Sequence, residues 1–325
     1  VSVSTAEGMA PDGVKETEGR EPALAFKIAL VILLGILCLV PFLFVLAISV
    51  GHKIEGAGWA FGFELTHYKR FLLGATWPET FQILYLQKLG YSLMFAAIGA
   101  VIAVALAFPF TYFLTRLTRR GQTVWLVLLL SSLSLSEVFI VMGWDILLSA
   151  RSGLPALLDW VGFTDLMKDW GWFQWFRDIG LASPRAFKFK TSGLATVLCM
   201  SYLVWPYAVI LLYPALSRLE PSLMEAARTM GARPSVVMRT VVLPSVKLPL
   251  FGSTLLLFVF LLGTYVTVTV FADPSQHTLA VSIYDSVRGS TLNAPFGAAQ
   301  SVILLITAAV FLFAGQKLSN AGDRA

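Results

Sequence analysis

Six long apolar runs decide what this chain can become. They are Leu24–Val50, uncharged from Ile28 onward; Leu89–Thr115, with no charge at all; Gln122–Ala150, holding Glu137 and Asp145; Thr191–Leu216; Leu248–Ala272; and Phe296–Gln316. A bilayer core of about 30 Å is crossed by about 20 helical residues rising about 1.5 Å each. Each run meets that length. In lipid a lone strand would leave its backbone groups unpaired, so each run must be helical, and the short alternating segments of a membrane barrel are not present in the pattern. The expected fold is therefore an all-α membrane protein of six transmembrane helices. Composition agrees: 13% of the 325 residues are charged, against about 25% in soluble domains.

The remaining composition excludes more than it assigns. The net charge of +5, from 24 Lys/Arg and 19 Asp/Glu, fits residues that fix membrane orientation rather than a nucleic-acid surface. Cys38 and Cys199 lie inside apolar runs and read as small buried hydrophobes, not as a disulfide or metal pair. His52, His67 and His277 are scattered outside the runs, so no metal site and no catalytic constellation is expected. Pro41, Pro109, Pro206 and Pro214, with Gly99, Gly143 and Gly263, favour kinks within spans, either for packing or along a pathway.

Residues 1–22 are polar and net acidic, unlike the basic start of a secretory signal. They are expected to form a disordered cytoplasmic tail, followed by a membrane domain over 23–320. The loop 151–190 is rich in tryptophan (Trp160, Trp170, Trp172 and Trp175), which suits a membrane interface on the outer face. With the N-terminus inside, inner segments hold 13 of the 24 Lys/Arg and outer ones 11. That count is nearly even, but short loops set orientation. The basic loop Arg116–Gly121 then favours both termini in the cytoplasm.

The segment 217–247, SRLEPSLMEAARTMGARPSVVMRTVVLPSVK, is too polar for lipid. Pro221 can open a helix, Ser222–Met230 is rich in helix formers, Gly231 can end it, and a second short helix is expected over about Pro234–Val242. The residues Glu225-Ala226-Ala227, Gly231, Val241 and Leu243-Pro244 resemble the EAA signature of ABC importer permeases, E-A-A-x3-G-x9-I-x-L-P, with Val241 in place of Ile. The resemblance covers about 190–316 and, more loosely, the six-helix layout from 80 onward. It implies a cytoplasmic coupling helix between helices 4 and 5 that docks on a separate ATPase subunit through Glu225, Ala226, Ala227, Arg228, Gly231, Leu243 and Pro244. It also implies a non-catalytic permease subunit in the bacterial cytoplasmic membrane. This chain has no G-x-x-x-x-G-K-[ST] phosphate loop and binds no cofactor of its own; ATP and Mg belong to the partner ATPase. The implied partners are an ATPase dimer, a second permease subunit and a periplasmic substrate-binding protein.

Leu219–Leu223 and Leu262–Thr267 look similar to the spermidine/putrescine-type branch, which also includes relatives for opines, iron, phosphonates and thiamine. Glu137 and Asp145 lie eight residues apart, about 80° beyond two full helical turns. Two carboxylates facing a cavity would attract a cationic substrate; alternatively each pairs locally. Tyr202, Trp205, Tyr207, Thr264, Tyr265 and Thr267 complete the candidate pathway, where aromatic rings can grip an ammonium group. The competing readings are an ion-coupled secondary transporter, which would show inverted repeats, an intramembrane enzyme, or the same importer carrying opines, iron, phosphonates or sugars.

Overall fold

The computed structural model describes residues 20–54, 58–184, 187–289 and 292–322. The expected tail falls largely on residues 1–19, outside the described residues. In chain order the elements begin with α1 (Arg20–Ser49), β1 (His52–Lys53), β2 (Trp59–Ala60), α2 (Thr66–Leu73), α3 (Leu84–Leu114), α4 (Arg119–Leu133) and α5 (Glu137–Leu147). Next come α6 (Leu154–Trp160), α7 (Phe163–Asp169), α8 (Trp172–Asp178), α9 (Gly193–Ser217), α10 (Pro221–Thr229), α11 (Pro234–Val237) and α12 (Leu243–Ser245). The last are α13 (Lys247–Leu262), α14 (Val266–Phe271), α15 (Leu279–Arg288) and α16 (Ala294–Gly322).

The described residues divide into two compact units between Ala47 and Ile48. The first contains most of α1, a continuous helix that holds Pro41, whose Phe26–Ser49 portion is long and apolar enough to cross a membrane. The second is built on α3, α9 and α13. On α3 a small-residue stripe (Ala96, Gly99, Ala103, Ala107, Thr111) is buried, the spacing that lets membrane helices approach closely where lipid supplies no hydrophobic drive. A Cβ added at Gly99 would come within 3.1 Å of Leu261 on α13 and 3.5 Å of Met200 on α9. Ser201 on α9 donates to the Gly99 carbonyl at 3.2 Å and to its own Val197 carbonyl at 2.7 Å. The stripe thus brings three helices to one point. Their interior is filled by Phe95, Met200, Leu212, Leu257 and Leu261.

Four helices are long and apolar enough to span a bilayer: Phe26–Ser49, Leu84–Leu114, Gly193–Ser217 and Ala294–Lys317. Two bent pairs raise the number to six if each is one span. The third run is therefore not the single helix expected. It breaks by 96° between α4 and α5, and neither piece alone reaches about 30 Å. The cause is the serine-rich stretch SSLSLS at 131–136. Ser131 and Ser132 turn their hydroxyls back onto the Leu128 and Leu129 carbonyls at 2.8 and 2.7 Å, and such side chains compete with the helical ladder and bend it. The second bent pair joins Pro234–Ser245 to Lys247–Leu262 at 66°, and the fifth run divides again further along. α13 ends at Leu262, Gly263 and Thr264 turn, and the β-branched sequence Val266–Val270 resumes as α14.

The tryptophan-rich loop forms three seven-residue helices, α6 to α8. Gly162, Gly171 and Gly180, nine residues apart, sit at positive φ of 79°, 75° and 78° and reverse the chain after each. Only glycine takes that conformation without steric cost. Phe163, Phe173, Phe176 and Phe187 pack as the interior of this unit, while Trp160, Trp170, Trp172 and Trp175 are exposed.

Candidate functional site

The signature residues lie on a helix–turn–helix. α10 presents Glu225 and Ala226 outward and buries Met224 and Ala227. The Met224 sulfur accepts from the Tyr112 hydroxyl at 3.5 Å and from the Arg116 guanidinium at 3.1 Å. The same guanidinium lies 5.1 Å over the Tyr112 ring. The end of α3 and the loop after it therefore clamp the inner face of α10 and leave its outer face open. Gly231 stands at φ +81°, and the Ala232 N–H donates to the Ala227 carbonyl at 3.1 Å. That six-to-one bond across a left-handed glycine is the Schellman termination, which favours glycine at this point. Among the described residues Glu225 joins no ion pair. Met230 beside it is 82% exposed.

The second helix runs further than the expected Pro234–Val242. It continues through Ser245 by way of a π-helical turn over Met238–Val242. Pro244 explains the wide turn: it has no N–H and its ring crowds the carbonyl four residues back. Val237, Val242 and Val246 face inward, while Arg233, Arg239, Leu243 and Pro244 are exposed. Val241, the one departure from the signature, is half-buried. For Arg228 the structure gives a helical position only.

The pathway candidates separate into distinct environments. Glu137, the first residue of α5, accepts the Thr267 backbone N–H at 3.1 Å and its hydroxyl at 2.9 Å. Thr267 is fully buried in the first turn of α14. Glu137 thus caps a helix on another element, where a negative charge meets the unpaired N–H groups and the positive end of the dipole. Asp145 pairs with Lys190 at 2.5 Å. Each carboxylate has its own partner, and eight helical residues set them about 12 Å apart.

Tyr202 is exposed and packs edge-on against Trp144 at 5.6 Å. Trp205 meets Phe110 at 5.0 Å, and Phe110 meets Trp125 at 5.5 Å. Together with Ile102, Leu106 and Leu198, the side chains of Phe110, Trp144, Tyr202 and Trp205 line an open groove of about 400 Å³. A second cavity of about 350 Å³ continues along α5 past Phe139 and Gly143 to Leu147, sharing Trp144 and Tyr202. Tyr207 lies apart, against Phe260 at 5.5 Å. Thr264 is buried at the α13–α14 break, and Tyr265 stacks on Tyr284 at 4.7 Å. Trp144, Phe110 and Tyr284 are the aromatic partners that sequence reading missed. The one signal pointing to them was helical spacing across runs whose pairing no single sequence reveals.

The fold defines a multi-pass helical membrane protein with an outward-facing helix–turn–helix and an aromatic groove between α3, α5 and α9. Residues 89–321 match the binding-protein-dependent transport system inner membrane component family, and the chain belongs to it. It is a non-catalytic permease subunit of an ABC transporter. The spermidine/putrescine transport system permease protein PotB of Escherichia coli (strain K12) is 25% identical over 232 residues, covering 70% of this chain and 76% of PotB. The inner membrane ABC transporter permease protein YdcU of the same strain is 26% identical over 218 residues, 66% of each chain. Among solved structures, a bacterial ABC transporter involved in importing the acidic polysaccharide alginate superposes with a TM-score of 0.68 over 93% of this chain and 96% of that one, at 13% identity. That last likeness concerns the fold alone.

Proposed function

We propose that the chain forms half of an alternating-access pathway for a small cationic amine, of the polyamine class, delivered by a periplasmic binding protein. Six spans, one from each long apolar run, provide that half, and both termini lie in the cytoplasm. A second, similar permease chain completes the pathway, and an ATPase dimer docks on α10. The observation that carries the reading is the outer face of α10. Glu225 and Ala226 are exposed and Met230 projects beside them, while the opposite face is clamped to α3. A small, charged, one-sided helix is suited to receive charge-assisted hydrogen bonds and close contact from a partner and to pass rigid-body motion inward. Docking contacts through Arg228, Gly231, Leu243 and Pro244 belong to the same reading.

For the substrate, the support is the PotB similarity and the aromatic groove of Trp144, Tyr202 and Trp205, whose π faces attract alkylammonium groups at about 0.5–2 kcal/mol each. Tyr207, Thr264 and Tyr265 contribute as neighbouring wall residues. Glu137 and Asp145 act here through the positions of α14 and the 151–190 loop, not as a joint cation trap. Cross-linking tests the docking face. With Cys38 and Cys199 replaced by serine, a cysteine at Met230 should form a disulfide with a cysteine in the cleft of the co-expressed ATPase. A cysteine at Leu130, on the exposed side of α4, should not. Equal yields from both positions would remove the docking assignment.

A further inference from the structure

Away from the groove and from α10, α2 and the turn after it line an open cavity of about 340 Å³. Thr66, Lys69, Arg70, Gly74, Trp77 and Asn293 contribute to its wall, and among the described residues no carboxylate does. Of the two acids that flank it in sequence, Glu79 is exposed, and Glu64 is already engaged by the Thr66 hydroxyl and by His52 Nδ1 at 2.8 Å. Those bonds hold its carboxyl below the usual range, so it stays ionised and occupied. Neither Lys69 nor Arg70 appears in any of the ion pairs among the described residues.

Arg70 is fixed rather than loose. Its guanidinium lies 4.6 Å over the Phe296 ring, and its Nε is buried without a hydrogen-bond partner among the described residues. A buried donor left unmade costs about 1–3 kcal/mol, so the Arg70 side chain carries a standing penalty where it lies. Asn293 accepts the Phe296 N–H at 3.1 Å through Oδ1, which leaves its amide NH₂ to donate. The cavity wall also depends on Gly74. At φ +98°, a Cβ there would come within 2.7 Å of Gln82 Cβ. Positive charge and unspent donors therefore converge where, among the described residues, no carboxylate pairs with them. The flanking chain is strongly apolar and open: Phe61, Phe63, Leu72, Trp77 and Phe81 are each more than half exposed.

We propose that this cavity binds the phosphate of an acidic phospholipid, with Lys69 and Arg70 pairing its charge and the flanking apolar side chains meeting its acyl chains. Arginine suits the task because its planar fork matches two phosphate oxygens at once. A soluble phosphate offers the same oxygens but nothing for the exposed phenylalanines and tryptophan.

Native mass spectrometry of the full chain in detergent tests this, with phosphatidylglycerol, phosphatidylcholine and inorganic phosphate added separately. Phosphatidylglycerol should stay bound and phosphatidylcholine should not. Lys69→Gln with Arg70→Gln should weaken phosphatidylglycerol binding roughly tenfold, as expected for loss of a charge-assisted hydrogen bond, while Arg70→Lys should retain most of it. If the double variant unfolds, Lys69→Gln alone carries the test, since that side chain is exposed; it should lower occupancy severalfold. Equal retention of both lipids, or wild-type occupancy in Lys69→Gln, would overturn the proposal. Retention of inorganic phosphate with no preference for the lipid would also overturn it and make the site one for a soluble anion.

Discussion

Replacing Glu137 separates a helix cap from a substrate carboxylate. Glu137→Ala removes the acceptor of two hydrogen bonds to Thr267, one of them from a backbone N–H in a residue with no exposed surface. A hydrogen bond to a charged group contributes about 1.5–3 kcal/mol and an orphaned buried donor costs about 1–3 kcal/mol. Interhelical bonds inside membrane proteins average nearer 0.6 kcal/mol. The loss is therefore put at about 2–3 kcal/mol, or roughly 5–10 °C in melting temperature at about 2–4 °C per kcal/mol. Glu137→Gln keeps an oxygen in the same place and loses only the charge, so it should cost about 1 kcal/mol or less. Cys199 is buried beside Phe271 of α14, and Cys38 is exposed. With Cys38 replaced by serine, labelling of Cys199 by a fluorogenic thiol dye during heating reports the opening of this region. Uptake is measured on the same variants. The capping account expects Glu137→Gln to keep both stability and uptake, and Glu137→Ala to lose stability first. It is refuted if Glu137→Gln abolishes uptake at unchanged melting while Glu137→Ala melts like the parent chain.

Three further perturbations follow from particular contacts. Glu225→Lys or Gly231→Pro should abolish transport while the protein still inserts. Gly231→Ala should cost only about 1–2 kcal/mol for its left-handed backbone; uptake, surface expression and melting check all three variants. Gly99→Ala should be tolerated within about 1 kcal/mol, because the atom it meets is the tip of Leu261, whereas Gly99→Leu should cost about 1–3 kcal/mol by overpacking, read in the same melting assay. Burial and the nearby Lys88 charge hold His277 below its ordinary value of 6.5. A folded-state pKa below the unfolded one gives stability that is full above pH 6.5 and declines as pH falls toward the folded pKa. The parent chain should therefore lose thermal stability below pH 6.5, and His277→Gln should reduce that loss.

The long spans α1, α3, α9 and α16 are legible because one property, twenty or so residues without charge, suffices to demand a helix in lipid. The turn at Gly231 is legible for an equally local reason, since glycine flanked by helix formers ends a helix. The breaks at Ser134–Ser136 and Gly263–Tyr265 are harder to read. Both lie inside runs of sufficient apolar length, and hydropathy does not register serine hydroxyls competing for backbone carbonyls or β-branched residues after a glycine. The carboxylates show a different limit. Sequence places Glu137 and Asp145 on one helix, but Thr267 and Lys190, which occupy them, come from segments 130 and 45 residues away in the chain. The aromatic groove likewise joins Phe110, Trp144 and Tyr202 from three helices, and only packing decides that they meet.

The most direct test of the central claim is ATP hydrolysis by the assembled complex in nanodiscs, with the binding protein and a panel of polyamines, opines, sugars and iron chelates. The account predicts that hydrolysis rises when the binding protein carries a polyamine and that Glu225→Lys removes the rise. An ATPase that fails to assemble with this chain, or hydrolysis indifferent to every ligand in the panel, would contradict it.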